Sequence, residues 1–253
     1  MLTDRDREHY GWQIPVDGFG EAGQARLKAS SVLVTRCGGV GGVVAMELAA
    51  AGVGRLVLAH AGPLRLDDMN RQVLMDAGRL GESRVEIAAD GVRRINPDIQ
   101  VVPVAENLSS ENAGRLVGMV DLVVDCAPLF EERFALNRAA VLGRKPMVEA
   151  AVYGLEGHLT TFLPGKTGCL RCLYPEFPET WRRRFPVFGA VSAVYGGLAA
   201  MEAVKVLSGF GATLAGTFLT FDLRDMSSRR YTLRRCSNCP DCGALYASGG
   251  ALA

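Results

Sequence analysis

Ser31-Val-Leu-Val-Thr-Arg36-Cys-Gly38-Gly39-Val-Gly41-Gly42 runs straight into Val43-Val-Ala-Met-Glu-Leu-Ala-Ala-Ala51. A short β-branched run, a turn built of glycine and an alanine-rich helix together read as the opening βα unit of a dinucleotide-binding sheet. Glycines at such a turn let the backbone approach a phosphate, and the helix amino terminus offers unpaired N–H donors and partial positive charge. A tight strand-to-helix turn with no ligand would show the same residues, so the neighbouring segments carry the decision.

Downstream, Gly52 and Gly54 close the helix and Arg55-Leu-Val-Leu-Ala59 forms a second strand. An ordinary dinucleotide site carries an acid near the end of that strand to hold the ribose hydroxyls. The residues here are His60 and Gly62. A polar patch, Asp67-Asp68-Met-Asn70-Arg71-Gln72, follows between apolar residues, just past the strand end where open α/β sheets bind ligands. Gly81 to Ile95 has apolar residues at helical spacing and is closed by Asn96-Pro97. Ile99 to Val104, Asp121 to Cys126 and Lys145 to Val152 read as strands, the second of buried type, with helices at Asn112 to Val117 and Phe130 to Val141 between them. Gly157 to Leu163 alternates like an added antiparallel strand. Val191 to Leu207 reads as a long helix whose Gly196-Gly197 pair permits close packing, and Thr217 to Leu223 and Arg229 to Leu233 as closing strands.

Upstream, residues 3 to 30 read as an entry helix and a second helix, with Tyr10, Trp12, Ile14 and Phe19 as buried anchors and the Gly20 to Gln24 stretch as a connection. The fold class is α/β: a Rossmann-like, mostly parallel sheet with helices on both faces, extended by antiparallel strands. The expected organisation is one domain over 1–253, with a zinc-bearing part from about residue 165.

The chain of 253 residues has a net charge of +1 from 28 basic and 27 acidic residues, so no electrostatic footprint for nucleic acid or a membrane surface is expected. No apolar run is read as a bilayer span, and the charged Met1-Leu-Thr-Asp-Arg-Asp-Arg-Glu start is unlike a signal peptide. The expected location is cytoplasmic. Among seven cysteines, Cys169-Leu-Arg-Cys172 and Cys239-Pro-Asp-Cys242 form two CxxC knuckles, each able to present two thiolates to one side of a tetrahedral metal. Paired, they make a structural four-cysteine zinc site; a redox dithiol is the competing reading. Cys126 reads as a buried thiol or a nucleophile, and Cys236 as a bystander, an alternate ligand or a sulfur carrier.

Taken in order, the glycine loop, the Asp68 to Gln72 patch, Asn96-Pro97, the Asp121 to Cys126 strand and the two knuckles resemble the ThiF/MoeB/HesA superfamily of ubiquitin-activating-like enzymes, over about residues 8 to 243. The stretches Leu64 to Gln72, Lys145 to Ala151 and Phe188-Gly-Ala-Val-Ser192 look most like the HesA branch, which is associated with nitrogen-fixation clusters. The resemblance implies adenylation of the carboxyl-terminal glycine of a small ubiquitin-like sulfur-carrier protein with ATP and magnesium, in a homodimer with one structural zinc per chain.

Several positions depart from that pattern. The loop matches the family's GxGGxG at Gly38, Gly39 and Gly41, but Arg36 stands at the first glycine, where a long side chain would fill nucleotide space. The acidic ribose ligand falls on Gly62. Asp68 replaces an asparagine, Arg71 and Gln72 remain, and Arg84 replaces a lysine. The magnesium-binding aspartate falls on Pro128, and the arginine that reaches the neighbouring subunit falls on Trp12. Arg71 and Arg84 are the candidate catalytic residues; Arg36, Gly38, Gly39, Gly41, Asp68 and Gln72 are the candidate nucleotide contacts.

Because lost charge stabilisation compounds, these changes lean toward a carrier-docking protein whose adenylation is weak or lost. The alternative is an active adenylyltransferase whose arginines, with Asp67 or Asp68, rebuild the phosphate and magnesium site. No cysteine lies between Cys172 and Cys236, so no covalent link to a carrier is expected. The Trp181 to Phe185 segment could close over a carrier's tail, and the tail from Ser248 is expected to fray.

Overall fold

The computed structural model describes residues 1–178 and 184–247. The Ser248 tail and most of the Trp181 to Phe185 segment lie outside them. Within the described residues the helices are α1 (Asp4–His9), α2 (Gly20–Ala29), α3 (Gly39–Ala50), α4 (Arg84–Ile95), α5 (Ala113–Val117), α6 (Phe130–Leu142), α7 (Leu170–Leu173), α8 (Gly189–Ser208) and α9 (Ala244–Ala247). The strands are β1 (Ser31–Thr35), β2 (Arg55–Ala59), β3 (Gln100–Val104), β4 (Leu122–Asp125), β5 (Met147–Tyr153), β6 (Glu156–Phe162), β7 (Thr217–Asp222) and β8 (Ser227–Thr232). They form one sheet in the order β3-β2-β1-β4-β5-β6-β7-β8.

Strands β3 to β5 in that order pair in parallel, with Val32 opposite both Leu56 and Leu122, and β5 to β8 are antiparallel. Burial follows from this arrangement. Covered by helices on both faces, β1, β2 and β4 are almost continuously apolar, whereas β8 is exposed throughout and can afford Ser227-Ser-Arg-Arg. One core packs α3, α4 and α8 against Val32, Val34, Leu56 and Leu58; a second packs α5 and α6 against Leu33, Val57 and Val123. The order in which strands are added reverses between β1 and β4, which stay parallel, and this is the switch point where α/β sheets open a crevice.

Three expectations need correction. Gly20 to Gln24 is not a connection but the start of α2. Phe19 lies flat on Gly23, where a Cβ would come 2.5 Å from the ring, and the buried Gln24 amide donates to the Ala51 carbonyl at 3.0 Å. Tertiary packing therefore overrides the poor helix propensity of two glycines. Trp12 is not a buried anchor but 97% exposed and Ile14 is half-buried, whereas Tyr10 and Phe19 are buried as expected.

The third is the expected absence of an apolar run of bilayer length, since the 20 residues of α8 are long and apolar enough to cross a membrane by length and composition. The helix lies instead across the sheet with Val191, Tyr195, Ala199, Ala200 and Ala203 in the core. Gly196 allows the close approach to α3, because a Cβ there would sit 2.6 Å from Val43; Gly197 faces open space.

Candidate nucleotide cavity and cysteine cluster

A cavity of about 640 Å³ opens at the switch point, over the carboxyl ends of β1, β2, β4 and β5. Its wall includes Gly38 and Gly39 before and at the start of α3, His60 after β2, and Asp67, Asp68, Arg71 and Gln72 from the patch. Arg36, Arg84 and Arg133 also reach it, and Cys126, Ala127 and Pro128 line it after β4. The structure thus brings together Arg36, Gly38, Gly39, Asp68, Arg71, Gln72 and Arg84. Gly41 does not line the cavity; it lies beneath, where a Cβ would come 2.5 Å from the Arg36 carbonyl.

Arg36 explains why the pattern wants glycine at its position. Its φ is +57°, the left-handed region that a side chain occupies at a cost of about 1 kcal/mol. The guanidinium forms a bidentate, buried pair with Glu132 of α6, Nε to Oε2 at 2.7 Å with the second contact from NH2 to Oε1. The side chain is held against α6, and the cavity stays open.

Gly62 has its own reason. Its φ is +90°, and a Cβ would lie 2.9 Å from the Arg84 guanidinium, so Arg84 stands where an acidic ribose ligand would need room. Arg84 donates to the Ala61 carbonyl at 3.1 Å and to both oxygens of Asp68 at 3.3 and 3.4 Å. Asp68, 4% exposed, also accepts from Gln72 Nε2 at 2.6 Å, Arg71 at 3.4 Å and the Arg65 backbone at 3.1 Å. One buried carboxylate thus sets the positions of Arg71, Gln72 and Arg84. Gln72 Oε1 and Arg84 Nε are buried with no hydrogen-bond partner in the protein. Orphaned polar atoms on a cavity wall fit a polar ligand.

The amino end of α8 completes the wall. A Cβ at Gly189 would meet the Asn70 carbonyl at 2.5 Å, and one at Gly39 would meet Ser192 Oγ at 2.8 Å. These contacts give the Phe188 to Ser192 motif its meaning.

Behind β4 lies a charged cluster that no sequence motif marks. Arg133 donates to the Ala127 carbonyl at 2.7 Å, pairs with Glu149 and lies 4.0 Å from Asp125. Glu149 Oε1 also meets His158 Nε2 at 3.0 Å. Burial pushes Asp125 up to about 6; burial opposes ionisation of Glu149 as well, but His158 and Arg133 outweigh it and hold that carboxyl below its usual range. The only sequence signal was two acids in strands otherwise apolar. Burial raises the thiols of Cys37, to about 12, and Cys126, so both stay protonated and neither makes a ready nucleophile.

At the far end of α6, Cys169, Cys172, Cys239 and Cys242 place their sulfurs within 4.8 Å of one another. Cys169 to Cys239 is 3.7 Å and Cys172 to Cys242 is 3.5 Å. Four sulfurs about 2.3 Å from a tetrahedral zinc would stand about 3.8 Å apart, so the donor set fits a structural metal. Asn137 seats the first knuckle, accepting from the Leu170 N–H at 2.9 Å and donating to Asp241 at 2.7 Å. Cys236 is exposed, its N–H 3.4 Å from Cys172 Sγ. Hydrogen bonds led by the Cys169 thiol hold Cys172 well below the usual thiol range.

Magnesium fares differently. Pro128 has no side-chain donor, Asp68 is fully engaged by two arginines and an amide, and Asp67 is paired with Arg65 at 3.4 Å. Among the described residues of the wall there is no other carboxylate, and the set does not fit a divalent ion.

Comparison with known proteins matches residues 10–243 to the ThiF family. The chain belongs to the ThiF family. It is 49% identical to the heterocyst HesA protein of Trichormus variabilis over 96% of this chain and 91% of that one. It is 36% identical to the Escherichia coli sulfur carrier protein ThiS adenylyltransferase over 97% and 99%. The fold is shared with Escherichia coli MccB solved with ATP, at a TM-score of 0.77 and 23% identity over 88% of this chain and 69% of that one. The four-cysteine cluster and the switch-point cavity are therefore features of a ThiF-family chain.

Proposed function

We propose that the switch-point cavity binds ATP and that the protein adenylates the carboxyl-terminal carboxylate of a small ubiquitin-like sulfur-carrier protein. The observation that carries this reading is the Asp68 constellation: one buried carboxylate holds Arg71, Gln72 and Arg84 on the wall of an open 640 Å³ cavity facing the glycine turn. Two relatives are named as sulfur-carrier adenylyltransferases, at 36% and 38% identity over nearly the whole chain.

In this reading the carrier carboxylate attacks the α-phosphorus of ATP; the bond to the bridging oxygen breaks, and pyrophosphate leaves with the electron pair. The protein's share is positioning and charge. Backbone N–H groups at the start of α3 point toward the phosphates, while Arg71 and Arg84 face the charge that grows on the leaving group. A second cavity of about 590 Å³ runs along β5 to β8 and shares Ala151 and Val152 with the first, which supports a route for an extended carrier tail. The cysteine cluster holds a structural zinc, and almost complete exposure of Trp12 supports a homodimer.

Pro128 favours a second reading, a carrier-docking protein without nucleotide chemistry. Exchange of labelled pyrophosphate into ATP separates the two. With a carrier ending in glycine, adenylation returns label to ATP; a carrier that binds while exchange stays at background supports docking alone.

A further inference from the structure

The charges around the cavity bear on the form in which a nucleotide enters, an inference that rests on the ATP reading above. Arg36 and Arg133 are each paired from behind, by Glu132 and by Glu149, and Asp125 lies 4.0 Å from Arg133 and off the wall. Among the described residues, that leaves Arg65, Arg71, Arg84 and Arg184 on the wall against Asp67 and Asp68, four guanidinium groups against two carboxylates. On the wall itself the excess is two positive charges, the same charge a magnesium ion would bring.

We propose that the cavity takes the triphosphate as the free anion, with guanidinium groups in place of a divalent cation. The geometry opposes a metal at each available oxygen. A dication on Asp68 would sit beside Arg71 and Arg84, both within 3.4 Å of that carboxylate, and one on Asp67 would sit beside Arg65. Pro128 adds no side-chain ligand atom. Guanidinium forks instead match phosphate oxygens two at a time and need no carboxylate partner on the ligand side. Arg84 Nε, a donor buried without a partner on the same side chain, leaves that guanidinium with hydrogen-bonding capacity the protein does not use.

Calorimetric titration of the full chain with ATP, once with EDTA and once with saturating magnesium at equal ionic strength, tests this. Metal-free ATP is expected to bind at least as tightly as its magnesium complex. Arg71→Ala should weaken the metal-free form by about tenfold or more. Asp67→Asn should strengthen it several-fold, because a repelling carboxylate leaves the wall. An affinity that falls by about tenfold or more in EDTA, or a magnesium dependence that Asp67→Asn abolishes, overturns the proposal. Failure of both forms to bind overturns the ATP reading itself and this inference with it.

Discussion

At the cysteine cluster, four identical donors on two short turns converge on one point, and their spacing alone states the chemistry. The switch-point cavity draws on residues that follow β1, β2, β4 and β5, and nearly every charged group on its wall is tied to a partner that the linear sequence does not indicate. The first site is specified by what its residues are; the second by what holds them. A departure from a family motif therefore carries different weight in the two places. A lost cysteine would end a metal site, whereas an altered cavity residue can be absorbed by its neighbours, as Arg36 is by Glu132.

The largest effect that would break this contrast belongs to the cluster. Cys239→Ser should reduce zinc from about one per chain to well below that and lower the melting temperature sharply, since structural zinc binding is worth about 10 kcal/mol or more. Metal analysis and a thermal melt check it; full zinc retention would show that the cluster is not a closed donor set. Next comes Asp68→Ala, which leaves Arg71 and Arg84 facing each other without their shared anion. Removing one partner of a buried ionic group costs about 3–5 kcal/mol, measurable by urea unfolding, and a loss under about 1 kcal/mol would deny Asp68 its organising place.

Gly41→Ala should cost about 1–3 kcal/mol, because the new methyl meets the Arg36 carbonyl at 2.5 Å and must displace the turn; the same unfolding measurement reads it.

Much of this architecture was legible in the sequence. Strand β1, the glycine turn and α3 announced themselves by residue type, and the buried strand ending in Asp125 by its apolar run. What stayed hidden depended on long-range contacts. Gly20 to Gln24 looked like a connection because nothing local reveals that Phe19 needs Gly23 beneath it. Trp12 looked like an anchor because aromatic character does not report which of several aromatics the core has room for. Gly62 looked like a lost acid, yet it makes room for Arg84, a relation visible only when α4 is packed beside β2. The Arg133, Glu149 and His158 cluster joins three segments and left only two acids in apolar strands as a trace.

The smallest effect tests the charged cluster behind the cavity. Asp125 is held near 6 when folded instead of the ordinary 3.8, so it binds its proton more tightly folded than unfolded. The stability it contributes is fully present below about pH 4 and is lost as pH rises through about 6. Asp125→Asn removes that dependence, and its melting temperature relative to the parent should be higher at pH 8 than at pH 5. An equal difference at both values would place the carboxyl in its ordinary range.

The central claim is that the altered cavity still seats a nucleotide. A crystal structure with ATP tests it most directly. The account predicts the triphosphate at the amino end of α3, touching the Gly38 and Gly39 backbone and the guanidinium groups of Arg71 and Arg84. A cavity that stays free of nucleotide at saturating ATP, or phosphates bound along β5 to β8 instead, would contradict it.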